Sequence, residues 1–323
     1  MSWKVGEEAM RNPHFDDDLL VWQDEYSGRY EPPSQGYTEE FDLKWALALE
    51  KKRYSDAPGV SLDDANIADL VHEWTGTHPE GRTTPVYRPT ERPLDHRIEP
   101  DLIHAKKCID IGCGSGRWTR VMQSIGAESV LSVDASESAL ESVSRFNGNT
   151  RRVNLMNLTK ENADLEAAFD FALLWGVAMC THDPKRAFEN AASTIRTGGS
   201  IYVMVYTVGG LHHEPMTNLQ RRIFHSLETV EERIHLVESV QNRRWNSAYP
   251  LKENLRNAVS NLRRQPKSSA VGVLDMLMPY YNWVVPYATV AQWMQNAGFD
   301  QVIHLNDEDP HPCAAHVLGL NRR

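Results

Sequence analysis

The chain has 323 residues, 41% hydrophobic and 24% charged, enough for one large domain or two small ones around a sizeable core. Its net charge of −10 argues against a general nucleic-acid binder, which needs a basic face; the pairs Arg151-Arg152, Arg221-Arg222, Arg243-Arg244 and Arg263-Arg264 are scattered and read as solvated surface. Cys108, Cys113, Cys180 and Cys313 form no C-x-x-C pair, the N-terminus has no apolar run, and no stretch approaches about 18 apolar residues, so the expectation is a cytoplasmic protein with reduced thiols, no metal site, no signal peptide and no membrane partner.

In chain order, residues 1 to about 37 are polar and rich in turn formers ("YEPPSQGY"), which predicts an irregular arm. A helix follows in "TEEFDLKWALALEKKRY", with Phe41, Trp45, Ala48 and Leu49 on one face, acidic residues at its start and Lys51, Lys52 and Arg53 at its end. A second helix is expected in "SLDDANIADLVHEWTG", started by Ser61 and Asp64, carrying the stripe Ile67, Leu70, Val71 and Trp74, and closed by Gly76. A Pro- and Arg-rich connector leads to residue 100.

From Lys107 strands and helices alternate. Strand "CIDIG" precedes helix "GRWTRVMQSIG", and strand "SVLSVD" precedes helix "SESALESVSRF". A short strand runs through "RRVNL"; strand "FDFALLWGV" precedes helix "PKRAFENAASTI"; Gly198-Gly199 turns into strand "SIYVMVY". Such alternation predicts an α/β fold with a parallel sheet covered by helices. The rhythm breaks at Thr207. Residues 208 to about 284 are polar and helical, include the amphipathic stretch "LQRRIFHSLETVEERIHLVESV", and end in "MPYYNWVVP". Alternation then resumes with helix "YATVAQWMQNAG", strand "QVIHL", loop "NDEDPHP" and strand "AAHVLGL". A loop of about seven residues is too short for a parallel crossover, so the last two strands must be antiparallel. The boundaries read 1–100 for an N-terminal arm and helices, 101–207 for a ligand-binding core, 208–284 for a helical cap and 285–323 for completion of the sheet.

The strand–loop–helix around "CIDIGCGSGRW" removes side chains at Gly112, Gly114 and Gly116, a geometry that presents backbone N–H groups and a helix N-terminus to a ligand. A dinucleotide loop wants G-x-G-x-x-G, and its third glycine falls where this chain has Arg117. Asp134 ends the second strand, placed to accept hydrogen bonds from ribose hydroxyls. The loop therefore asks for a nucleoside rather than a pyrophosphate.

With these residues, "FDFALLWGV", "GGSIYVMVY" and the terminal strand pair, the chain resembles the class I S-adenosylmethionine-dependent methyltransferases over Lys107–Tyr206 and about 285 to 320. The resemblance implies a doubly wound, seven-stranded Rossmann-like sheet with an antiparallel last strand, N-terminal helices and a helical cap insertion. It implies S-adenosyl-L-methionine as cofactor, held by Asp110, Gly112, Cys113, Gly114, Gly116 and Asp134, with Asn154 where the family often has an aspartate at the adenine amine. Trp175 is taken with this set, Trp118 is as well read as core, and Cys113 reads as a small residue fitting a tight loop rather than a nucleophile.

Methyl transfer needs an aligned acceptor, excluded water, and a base only where a proton must leave. The sheet's C-terminal edge offers Trp175, Met179, Cys180 and His182 after the fourth strand, and Tyr206, His212 and His213 after the fifth, beside a Gly209-Gly210 hinge. The cap adds Tyr280, Tyr281, Asn282 and Trp283, which equally read as its core. The catalytic candidates are His213, His212 and Tyr281. The expectation is methylation of a small molecule, on oxygen first, with N- or S-methylation as the alternative. An RNA methyltransferase, an NAD-dependent oxidoreductase and a non-catalytic cofactor-binding module follow behind.

Overall fold

The computed structural model describes residues 41–45, 62–75, 98–207, 215–265, 269–307 and 314–323. Seven strands form one sheet: β1 (Lys107–Ile111), β2 (Ser129–Asp134), β3 (Thr150–Arg152), β4 (Phe169–Trp175), β5 (Ile195–Tyr206), β6 (Phe299–His304) and β7 (Ala314–Arg322), in the order β3-β2-β1-β4-β5-β7-β6. β1 to β5 are parallel, and β7 runs antiparallel to both β5 and β6. The chain steps from β1 outward through β2 and β3, then returns to the other side of β1 with β4. That reversal leaves a crevice at the C-terminal ends of β1 and β4, where ligands of such sheets lodge.

Both faces of the sheet are buried, which is why the strands read as near-continuous apolar runs. Cys108, Phe171, Leu173 and Tyr202 point to one face; Ile109, Ile111, Ala172, Leu174 and Val203 point to the other, as the period of two requires. Helices α1 (Asp64–Thr75) and α2 (Arg117–Ile125) cover the first face, and Trp74 stacks on Trp118 with ring centroids 4.5 Å apart. After α3 (Glu137–Ser144), which follows β2, helix α4 (Pro184–Ser193) covers the second face through Ala187, Phe188, Ala191 and Ala192.

Between β5 and the next core helix the chain builds α5 (Pro215–Ser226), α6 (Val230–Gln241), α7 (Leu251–Leu262) and α8 (Ala270–Leu277). Phe224, Leu236, Val237, Val271, Val273 and Leu274 give α5, α6 and α8 their own apolar cluster. Helix α9 (Tyr287–Asn296) then returns to the second face, packing Val290, Trp293 and Met294.

Three local expectations change. The single amphipathic helix expected over "LQRRIFHSLETVEERIHLVESV" is two helices, α5 and α6. Thr229 accepts from the Glu232 N–H at 3.2 Å while Glu232 accepts from the Thr229 N–H at 3.0 Å, and this reciprocal cap starts α6 afresh. Helix α1 is started by Asp63, which accepts from the Asn66 N–H at 2.8 Å; Ser61 and Gly76 lie outside the described residues. Strand β5 begins before the glycine pair, at Ile195, and its register against β4 shifts between Phe169 and Phe171. The N-terminal arm, most of the first helix and most of the connector also lie outside the described residues.

Candidate active site

A cavity of about 290 Å³ opens at the C-terminal ends of β1, β2, β4 and β5. Six of the eight cofactor candidates line it: Gly112, Cys113, Gly114, Asp134, Asn154 and Trp175. The other two stand behind it. Gly116 is the N-cap of α2, and Asp110 is buried at the end of β1.

The glycine loop is tied to Asp134. One carboxylate oxygen accepts from the Gly114 N–H at 2.9 Å and the other from the Ser136 N–H at 2.9 Å. A carboxylate has about four acceptor positions, so each oxygen keeps capacity for a further donor on the cavity side. Burial pushes the Asp134 carboxyl above its ordinary range; the two N–H donors and the Lys44 ammonium oppose that shift. These residues fit a nucleoside ribose: a carboxylate with spare acceptor capacity beside a strip of small residues. Asn154 lines the cavity next to Val153, Leu155 and Leu158. Its side-chain oxygen accepts from the Met156 N–H at 3.0 Å, leaving a second lone pair for an amine donor.

Asp110 sits in a hydrogen-bonded chain beneath the loop. Its Oδ2 accepts from Thr119 Oγ1 at 2.7 Å, and Thr119 meets Ser132 Oγ at 2.8 Å. Asn147 Nδ2 donates to that serine at 3.0 Å. Since Asn147 donates and the carboxylate only accepts, the hydroxyl protons run from Ser132 to Thr119 to Asp110. Burial raises the Asp110 carboxyl to about 7, Thr119 counteracting and Asp134 adding to the rise. Below about pH 4 this carboxyl is neutral in the folded and unfolded chain alike. Its contribution to stability, complete there, is lost as pH rises toward about 7. Urea midpoints of Asp110→Asn relative to the parent are therefore expected to climb between those limits and level off above them; parallel pH profiles would refute this.

Cys113 and Cys108 are buried thiols whose pKa values burial raises, Cys108 to about 12, so neither suits a nucleophile. Arg117, at the position of a dinucleotide loop's third glycine, lines the cavity and lies over the Trp118 ring at 4.8 Å.

The remaining walls come from outside the sheet. Phe41, Lys44 and Trp45 of the N-terminal segment and Val271 and Asp275 of α8 line the cavity. Three contacts hold residues 41–45 there. Asp42 accepts from Ser136 Oγ at 2.6 Å at the start of α3, where a helix N-terminus favours an anion. Lys44, buried, donates to Asp275. The Trp45 indole lies directly against Gly114, where an added methyl group would fall 2.3 Å from it. Phe41 and Trp45 were legible only as a packing stripe, and Lys44 and Asp275 carried no signal, because their pairing crosses 231 positions of sequence.

Of the catalytic candidates, His212 and His213 lie outside the described residues, as does the Gly209-Gly210 pair. Tyr281 is buried in the sheet's second-face core, parallel to Trp283 at 6.5 Å and 6.3 Å from the His182 ring, and is absent from the cavity lining. Trp283 fastens this stretch to the loop after β4: its N–H donates to Met179 O at 3.0 Å and its Nε1 to Thr181 O at 2.9 Å. Tyr206 and Cys180 line the cavity, whereas Met179 and His182 do not. Among the described residues no group of three His, Cys, Asp or Glu side chains is arranged to hold a metal ion, and no helix is long and apolar enough to cross a membrane.

A family model described as "Methyltransferase domain" matches residues 91–305, two thirds of the chain. The chain is similar to a ubiquinone biosynthesis O-methyltransferase of Coxiella burnetii, 25% identical over 144 residues, covering 43% of this chain and 58% of that protein. It is also similar to a tRNA U34 carboxymethyltransferase of Haemophilus influenzae, 30% identical over 119 residues, covering 35% of this chain and 37% of that protein. The matched stretches thus span little more than half of the first relative and about a third of the second. A solved S-adenosylmethionine-dependent methyltransferase from Mesorhizobium loti aligns over 68% of this chain and 96% of its own, at 16% identity and a TM-score of 0.40.

Proposed function

Since the chain belongs to the methyltransferase-domain family, we propose that it is an S-adenosyl-L-methionine-dependent enzyme that methylates a small molecule in the cytoplasm, on oxygen first. The observation that supports this reading is one cavity bounded by the glycine loop and Asp134 on the sheet side and by α8 on the cap side. When bound, S-adenosyl-L-methionine supplies a sulfonium-activated methyl group.

The chain's own residues then have separable tasks. Asp134 accepts ribose hydroxyls, Asn154 takes the adenine amine, and Gly112, Cys113, Gly114 and Trp175 form the floor. Asp110 and Gly116 shape the loop from behind. Val271, Met204 and Tyr206 wall the acceptor side, where Asp275 offers a carboxylate held by Lys44. His213 and His212 remain proposed as bases for a hydroxyl acceptor, and Tyr281 as a support of the wall through His182 and Trp283. A small acceptor is favoured over RNA because Lys44 and Arg117 are the only cations among the described lining residues.

Two measurements test the reading. S-adenosyl-L-methionine or its demethylated product is expected to raise the melting temperature by linkage, and NAD is not. Labelled methyl transfer is then expected into a small-metabolite fraction of the host and not into its tRNA. Tight NAD binding without S-adenosyl-L-methionine binding refutes the cofactor, and label in tRNA alone refutes the acceptor class.

A further inference from the structure

Helix α7 is attached to the cap differently from its neighbours. Asn254 is its one buried residue. The Asn254 amide donates to Asn246 O at 2.8 Å and accepts from the Asn246 N–H at 3.0 Å. Asn261 Nδ2 reaches Asn242 O and Arg243 O, both at 3.2 Å. Polar side chains therefore anchor the helix, and its leucines are left outside. Leu251, Leu255, Val259 and Leu262 are 63%, 52%, 44% and 83% exposed. At 100° per residue these four fall within an arc of about 80°, turned away from Asn254 and Asn261. Lys252, Arg256 and Arg263 border that arc on its free side, all exposed. Glu253 is the helix's one acid, and it faces Arg256 at 3.7 Å. Trp245, in the turn before the helix, is 62% exposed beside exposed Arg244.

From this geometry we propose that α7 and the Trp245 turn dock on the surface of a bilayer containing anionic lipid. An apolar stripe bordered by Lys and Arg is the arrangement that lies in a membrane interface, and an exposed indole nearby suits it. The charge is complementary: on a chain of net charge −10, this face gathers Lys252, Arg256 and Arg263 against the single Glu253. A second copy of the chain is a poor occupant. Twelve residues of helix are about 18 Å long and offer a stripe on the order of 200 Å², well short of the ~800 Å² per partner of a stable interface. The same three cations would repel their copies. The proposal departs from the expectation of no membrane partner, because the exposed stripe and its bordering cations come to one face only when the chain folds.

The test uses the full chain alone, without cofactor or acceptor. Vesicles of phosphatidylcholine and phosphatidylglycerol in equal parts are expected to sediment the protein and to blue-shift its tryptophan emission. The emission change is expected to vanish in Trp245→Phe. Phosphatidylcholine alone is expected to leave the protein in solution, and added salt to release it. Lys252→Gln with Arg256→Gln is expected to weaken partitioning about 25-fold, at about fivefold per charge. Leu255→Ser with Leu262→Ser, both exposed and so harmless to folding, is expected to abolish it. The proposal is overturned if the parent ignores the anionic vesicles, if the leucine variant binds them as well as the parent, or if light scattering shows a dimer that this variant dissolves.

Discussion

Asp134→Ala is expected to weaken S-adenosyl-L-methionine about 10- to 150-fold in a calorimetric titration, while the variant still folds. The range corresponds to ~1.5–3 kcal/mol, that of hydrogen bonds to a charged group. Two losses combine. In the proposed binding mode the ribose hydroxyls lose their acceptor, and the Gly114 and Ser136 N–H groups lose theirs, so the loop is freed beside the proposed cofactor site. Folding is expected to change little, because the Gly114 N–H borders the cavity and can turn to water, and because removing a carboxyl whose charged form burial disfavours offsets the loss of an acceptor for the buried Ser136 N–H. A Lys44→Met variant divides the effect. It removes the cation that favours Asp134 in its charged form and the partner of Asp275, but none of the ribose contacts. A smaller loss of affinity is expected there than in Asp134→Ala. Unchanged affinity in Asp134→Ala means that the ribose lies elsewhere.

The parts of this site that were legible in sequence are those made by adjacent residues. "CIDIGCGSGRW" is strand, loop and helix within eleven positions, and its glycines and Asp134 fix the sheet side of the cavity by local geometry alone. The terminal strand pair was equally legible, because loop length excludes a parallel crossover. Asp110 stood out by type and place, but its chain through Thr119, Ser132 and Asn147 joins two strands, a helix and a loop. The cap side was not legible. Lys44 with Asp275, and Trp45 with Gly114, are contacts between remote segments, and nothing in either stretch names its partner. The break between α5 and α6 was hidden for another reason: Thr229 and Glu232 sit in a run whose apolar spacing continues across them. Leu251, Leu255, Val259 and Leu262 carry the same spacing as a buried stripe, and only the fold shows that they face outward.

Gly116→Ala is expected to cost ~2–5 kcal/mol of stability, read as a shift in the urea midpoint. Two penalties meet there, as they also do at Gly112, Gly114 and Gly126. The Gly116 φ of +88° is left-handed, which costs a side chain ~1–2 kcal/mol. A methyl group there would also lie 2.6 Å from Phe146 Cζ and 2.8 Å from Val143 Cγ2. The Phe146 ring end is half-buried and can give way, but Val143 is fully buried on α3, with one strongly preferred rotamer in a helix. Overpacking of that kind costs ~1–3 kcal/mol. Gly198→Ala isolates the first penalty, since its φ is +80° and nothing lies within 4 Å of the added methyl, so ~1–2 kcal/mol is expected. Gly148→Ala carries neither penalty, having open space and no positive φ, and is expected to be neutral or to stabilise by up to ~1 kcal/mol. Val143→Ala introduced beside Gly116→Ala removes the obstructing methyl, so the pair is expected to cost less than the sum of the two single changes. Gly116 thus fixes the approach of α2 to α3, and through it the turn that carries the Gly114 N–H to Asp134. If Gly116→Ala loses no more than Gly198→Ala, backbone strain alone accounts for the glycine, and close packing of the two helices beneath the cofactor loop is not what requires it.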